Sequence, residues 1–184
     1  MGFHTFDADR ADVLEDPGRY RFCSREELLA ALDLGGRAVV ADIGSGTGFY
    51  TDEIAPFADT VYAVDVQSEM HEYHREKGAQ ENVEFVAAEA SAMPLDDDEL
   101  DAAFSTMTYH EFASEASLEE LARVVRPGGR VVTLDWSARG TGDDGPPMDE
   151  RYALADAVER FESAGFRTVE ASSRKETFVH IARR

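Results

Sequence analysis

Ala38-Val39-Val40-Ala41-Asp42-Ile43-Gly44-Ser45-Gly46-Thr47-Gly48-Phe49-Tyr50-Thr51 is the stretch on which the reading of the chain turns. Its first half is apolar and rich in β-branched residues, as expected of a strand buried on both faces of a parallel sheet. Glycine then takes every second position, which permits a tight turn and lets backbone N–H groups approach a ligand. Thr51, Asp52 and Glu53 open a helix whose N-terminus points back at the turn, offering free donors and a positive dipole end. Strand, glycine turn and helix together make a binding site for a polar small molecule.

The dinucleotide fingerprint requires Gly-x-Gly-x-x-Gly/Ala. Counted from Gly44 the last position is Phe49, and counted from Gly46 it is Thr51, so both registers fail and a nicotinamide-dependent oxidoreductase is disfavoured. The acid Asp42 inside the strand end would repel a pyrophosphate and suits a ligand with an ammonium group. Asp42-Ile43-Gly44-Ser45-Gly46-Thr47-Gly48 resembles the first motif of the class I S-adenosylmethionine-dependent methyltransferases, of the broad type 11 group.

Three further stretches are similar to motifs of that family. Asp65 ends a second strand 21 residues beyond Gly44, an offset at which an acid accepts from ribose hydroxyls. Ala88-Glu89-Ala90-Ser91-Ala92-Met93-Pro94-Leu95 resembles the third motif, with Glu89 in place of the usual aspartate. Leu118 to Arg130, with Arg126-Pro127-Gly128-Gly129 inside it, looks like the family's passage from a helix to the fifth strand. The resemblance implies S-adenosylmethionine as cofactor. Asp42 with Gly44, Ser45, Gly46, Thr47 and Gly48 would hold its methionine part, and Asp65 the ribose. Val66, Met70, Glu89 and the Ala90 backbone would take the adenine, with Ser105 at the mouth of the fourth strand.

Methyl transfer asks the protein to align an acceptor, exclude water and sometimes remove a proton. Ser105-Thr106-Met107-Thr108-Tyr109-His110-Glu111-Phe112 leaves the fourth strand into the expected pocket. His110 is the candidate base, Glu111 its orienting partner and Tyr109 a pocket wall. His4, Tyr20 and Phe22 are candidate contributions from an N-terminal arm. His71 and His74 share a helical face but find no third ligand, so they read as a solvated face and no metal is expected. No Asp/Asn-Pro-Pro-aromatic motif follows the fourth strand, which sets aside amino-methylating nucleic-acid enzymes. The remaining expectation is a small organic acceptor methylated on carbon, oxygen or nitrogen, with a non-catalytic cofactor sensor or partner subunit as the alternative.

The pattern of elements is α/β and doubly wound. Strands are expected at 38–43, 60–65, 83–88, 100–105 and 130–135, followed by a hairpin at 167–171 and 177–182. Helices are expected at 24–34, closed by Gly35-Gly36, and at 49–58, 68–78, 117–125 and 152–164. This is a mostly parallel seven-stranded sheet with an antiparallel C-terminal hairpin strand, the Rossmann-like methyltransferase fold that the resemblance also implies. Residues 1–23 read as an arm or lid and 24–184 as one domain.

The 184 residues carry 38 Asp plus Glu against 18 Lys plus Arg, a net charge of −20. Lys77 and Lys175 are the two lysines, and every other cation is arginine. An acid-rich, lysine-poor chain fits a high-salt interior, where self-repulsion is screened, and argues against a nucleic-acid partner. Cys23 is the single cysteine, which with the absence of a secretory or membrane-spanning pattern leads us to expect a cytoplasmic monomer or homodimer that binds no membrane.

Overall fold

The computed structural model describes residues 8–184, so His4 lies outside the described residues. Seven strands form one sheet: β1 (Val39–Ile43), β2 (Thr60–Asp65), β3 (Val83–Ala87), β4 (Leu100–Thr106), β5 (Val125–Trp136), β6 (Arg167–Ser173) and β7 (Thr177–Arg183). Their order is β3-β2-β1-β4-β5-β7-β6. The first five are parallel, and β7 runs antiparallel to both β5 and β6. The expected doubly wound sheet is therefore present, with the hairpin's second strand inserted against β5.

Among the described residues six α-helices flank it: α1 (Arg25–Leu32), α2 (Phe49–Ile54), α3 (Ser68–Lys77), α4 (Tyr109–Phe112), α5 (Glu115–Val124) and α6 (Leu154–Ser163). Alternation along the central strands sends neighbouring side chains to opposite faces. Val40, Phe104, Val132 and Leu134 pack with Leu28, Leu32, Tyr50 and Ile54 of α1 and α2. Ala41, Ile43, Ala103 and Val131 pack with Tyr109, Leu118, Leu121 and Phe161 of α4, α5 and α6. Both faces are covered, which is why β1 reads as an unbroken apolar run.

Several boundaries differ from expectation for local reasons. Ser24 caps α1 by accepting from the Glu27 N–H, but α1 ends at Asp33, which adopts φ 52°, before Gly35-Gly36 is reached. Pro56 has no N–H to donate, and α2 gives way there to a 3-10 turn over Ala55–Phe57. The Arg126–Gly129 stretch belongs to β5 itself, across a register shift opposite Leu100 and Ala102. His71 and His74 are buried rather than solvated, with ring centroids each 5.2 Å from Phe85 of β3.

The parallel strands diverge where β1 and β4 lie side by side and the connections leave in opposite directions. A crevice opens beyond the carboxyl ends of strands at such a point. Residues 8–21 run across it as two 3-10 segments, Ala8–Glu15 and Pro17–Arg21.

Candidate active site

β1 ends in the glycine turn, which β2 holds from the side. The Gly44 and Ser45 N–H groups both donate to the Val64 carbonyl, at 2.8 and 3.0 Å. Gly44, Gly46 and Gly48 adopt φ of 74°, 52° and 80°, where a side chain is strained. Two of these positions are also crowded. A Cβ at Gly44 would lie 2.2 Å from Thr108 Cγ2, and one at Gly48 would lie 2.0 Å from His74 Cε1. Asp65 completes the turn: Oδ2 accepts from the Gly46 N–H at 2.8 Å, and Oδ1 from the Gln67 N–H at 2.9 Å.

Asp42 sits beneath the turn, almost wholly buried. Its Oδ2 accepts from the Thr51 hydroxyl at 2.6 Å, while Oδ1 has no partner. Burial pushes this carboxyl up to about 7, against the smaller opposing effect of the Thr51 hydrogen bond. A buried carboxylate oxygen without a donor retains the capacity to accept from a ligand or a water.

The 3-10 segments cover this end. Leu14, Arg19 and Phe22 line the same cavity as the turn. Glu15 anchors the segment, accepting from the Thr47 hydroxyl at 2.5 Å and from Lys77 Nζ at 3.0 Å. Lys77 reaches on to Asp52 at 2.9 Å. Arg19 donates to the Leu14 carbonyl, and its guanidinium carbon lies 5.0 Å from the Phe49 ring centre. Burial lowers its pKa, and no carboxylate pairs with it among the described residues. Among the described residues it is the one lysine or arginine in the cavity wall.

The far end is built from β4, α4, β5 and the loop before α6. α4 is one turn of helix, and it turns successive side chains by about 100°. Tyr109 therefore points into the core among Phe112, Tyr152, Phe161 and Phe178, fully buried, and burial raises its phenol pKa. His110 points the other way. Its Nδ1 lies 2.9 Å from Asp135 Oδ1, and its backbone N–H donates to Asp135 Oδ2 at 2.8 Å. A buried carboxylate accepts only, so Nδ1 carries the proton and Nε2 of the neutral ring is left as an acceptor. Burial by itself lowers the His110 pKa, but the hydrogen bond and charge of Asp135, with Glu111 and Glu150, raise it overall. Glu111 lies 3.9 Å from Nε2 and does not orient the ring; that partner is Asp135.

One cavity of about 540 Å³ joins the two ends. It brings together Asp42, Gly44, Ser45, Gly46, Asp65, Val66, Met70, Glu89, Ala90 and His110. Five expected residues stand outside it, among them Tyr20, whose hydroxyl donates to Glu53 Oε1 at 2.6 Å. Thr47 is turned to Glu15, Gly48 packs on His74, Ser105 is buried within β4, and Tyr109 is core. Arg19, Asp135, Glu150 and Trp136 were missed. Asp135 alone left a signal, an acid closing a predicted strand as Asp42 does.

The chain matches the model of a methyltransferase domain over residues 41–133, half its length. A methyltransferase-like protein of Schizosaccharomyces pombe, itself uncharacterized, is 31% identical over 150 residues, 81% of this chain and 56% of that protein. The demethylmenaquinone methyltransferase of Mycobacterium sp. (strain JLS) is 36% identical over 130 residues, 70% of this chain and 54% of that one. The chain spans about half the length of the curated relatives it matches. The crystal structure of a SAM-dependent methyltransferase from Aquifex aeolicus superposes with a TM-score of 0.86 at 32% identity, covering 97% of this chain and 98% of that one.

Proposed function

This chain belongs to the S-adenosylmethionine-dependent methyltransferase family, and from that premise we propose that it methylates a small-molecule acceptor held beside His110. The cofactor supplies an electrophilic methyl group on a sulfonium. The residues present fit it. The unpartnered Asp42 Oδ1 suits its ammonium, and the unpaired Arg19 guanidinium suits its carboxylate. Each Asp65 oxygen accepts one backbone bond and keeps capacity for a ribose hydroxyl. Met70, buried, and Val66, half-exposed, offer apolar contact for the adenine, with Glu89 at its rim.

At the other end His110 Nε2 takes the acceptor's proton, and Asp135 fixes the tautomer that leaves Nε2 free. Phe22, Phe112 and Trp136 wall this half against water. Residues 8–22 act as the cover of the cofactor end. The observation that carries the reading is the single cavity running from the orphaned Asp42 oxygen to His110.

Calorimetric titration with S-adenosylmethionine and S-adenosylhomocysteine tests it, on wild type, Asp65→Ala and Arg19→Met, with circular dichroism to verify folding. Micromolar binding by wild type that weakens at least about tenfold in each folded variant is expected. No binding by wild type would leave the glycine turn as scaffold. Binding without turnover on any acceptor would instead favour a cofactor sensor.

A further inference from the structure

Granting the methyltransferase reading, we infer that the acceptor is a protonated amine, held by Glu111 and Glu150 opposite His110 and Trp136. The charges of the cavity divide unequally. Arg19 stands at the glycine turn, and no other lysine or arginine lines the cavity among the described residues. In the other half three carboxylates face inward, Glu111, Asp144 and Glu150. Asp144 is already paired, with Arg21 at 2.7 Å. His110 and Asp135 form a pair of their own, 2.9 Å apart. Glu111 and Glu150 are left with no hydrogen bond to their carboxylates among the described residues.

His110 gives an independent sign of a ligand here. Its side chain is 9% exposed, it lines the cavity, and Nε2 makes no hydrogen bond, with Glu111 Oε1 3.9 Å away. The ring is fixed by Asp135 through Nδ1, and Nε2 opens on the cavity with no hydrogen bond, so in the neutral ring it can accept a proton from something that enters. Burial drives the Glu111 pKa up to about 7, against the smaller opposing charge of His110.

These features select among acceptors. A carboxylate or phosphate would meet two acids and no free cation. A neutral alcohol would expel water from Glu111 and Glu150 and supply too few donors in return, leaving charge buried unpaired. An alkylammonium supplies up to three N–H donors and a positive charge. The rings of Phe22 and Trp136, which meet at 4.9 Å between centroids and already carry the Arg21 and Arg151 guanidinium groups, form one wall. Before such a nitrogen reacts it must give up one proton and keep the electron pair. Nε2 of the neutral His110 is placed to receive that proton.

The test uses ligand-observed saturation-transfer NMR on protein saturated with S-adenosylhomocysteine. The probes are 2-phenylethylamine, 2-phenylethanol and phenylacetate, close in shape and different in charge. The amine is expected to bind at least about tenfold more tightly than the other two, as charge-assisted hydrogen bonds allow. The preference should shrink in Glu150→Gln and vanish in the Glu111→Gln/Glu150→Gln pair. If the amine does not outbind the others, including the case where none of the three binds, the inference is overturned. It is also overturned if the preference survives in the double variant, or if that variant weakens S-adenosylmethionine but not S-adenosylhomocysteine, because the two acids would then serve the sulfonium. Failure of S-adenosylhomocysteine itself to bind wild type is a different result, and it would remove the methyltransferase reading beneath the inference.

Discussion

β1 and β5 each bring a buried aspartate to the same rim of the sheet, and their surroundings divide the two roles. Asp42 is given one hydroxyl donor and left with one bare oxygen. Asp135 has both oxygens occupied, by the ring and the backbone N–H of His110. The first is an unfinished hydrogen-bond shell, open to the ligand proposed for it, and the second is a finished one that sets the orientation of another side chain. Burial of an acid at a strand end therefore does not by itself mark a binding group. What separates these two is the count of satisfied oxygens.

The largest change is expected from breaking the β1 end at its tightest point. Gly48→Ala places a methyl group inside the His74 ring, which is buried and bonded to Asp52, at a φ of 80°. A loss of about 3 kcal/mol or more in urea unfolding is expected from strain and overpacking. Asp42→Asn sharpens the comparison through pH. The folded Asp42 carboxyl titrates near 7 and the unfolded one near 3.8, so the folded state binds the extra proton. Asp42 thus costs stability progressively between those values, and none below them. Asn in its place should make the fold more stable at pH 8 and unchanged at pH 3, while weakening S-adenosylhomocysteine. Equal stability curves would show Asp42 to be ionised without penalty.

Asp135→Asn tests the other strand end. The folded His110 pKa is raised, so its contribution to stability is present below the unfolded value of 6.5 and lost as pH rises through the folded value. NMR titration of the imidazole should give a midpoint above 6.5 in wild type and a lower one in the variant. An unmoved midpoint would break the pairing. The smallest effect belongs to Glu15→Gln, which weakens the contacts to Thr47 and Lys77. Partly exposed ion pairs of this kind contribute about 0–1 kcal/mol, so thermal stability should barely change. Proteolysis within residues 8–21 should nevertheless quicken.

The glycine end was legible because its information is local. An apolar run, alternate glycines and an acid at a fixed offset lie within Val39–Asp65, and hydrogen bonding between adjacent strands does the rest. The other end depends on partners far apart in sequence. His110 meets Asp135 only because β4 and β5 are neighbours, so Glu111, its neighbour in the chain, was the natural misreading. Tyr109 was misplaced because the stretch after β4 was read as open loop, whereas one helical turn sends it to the core with Phe112. Arg19 lies in a 3-10 segment with no hydrophobic period to signal that it is covered.

β7 has a temporal consequence. Asp135 pairs with Phe178 across the β5–β7 ladder, so the strand that carries it is enclosed by one made long afterwards on the ribosome. The glycine turn draws its partners from earlier in the chain: β1 and β2 hold it, and Thr108 after β4 closes on Gly44. Hydrogen-exchange labelling of stalled nascent chains should protect β1 amides before β5 amides; the reverse order would refute this. On this topology the glycine-turn half of the cavity can form before the His110 half, whose Asp135 needs β7 beside β5.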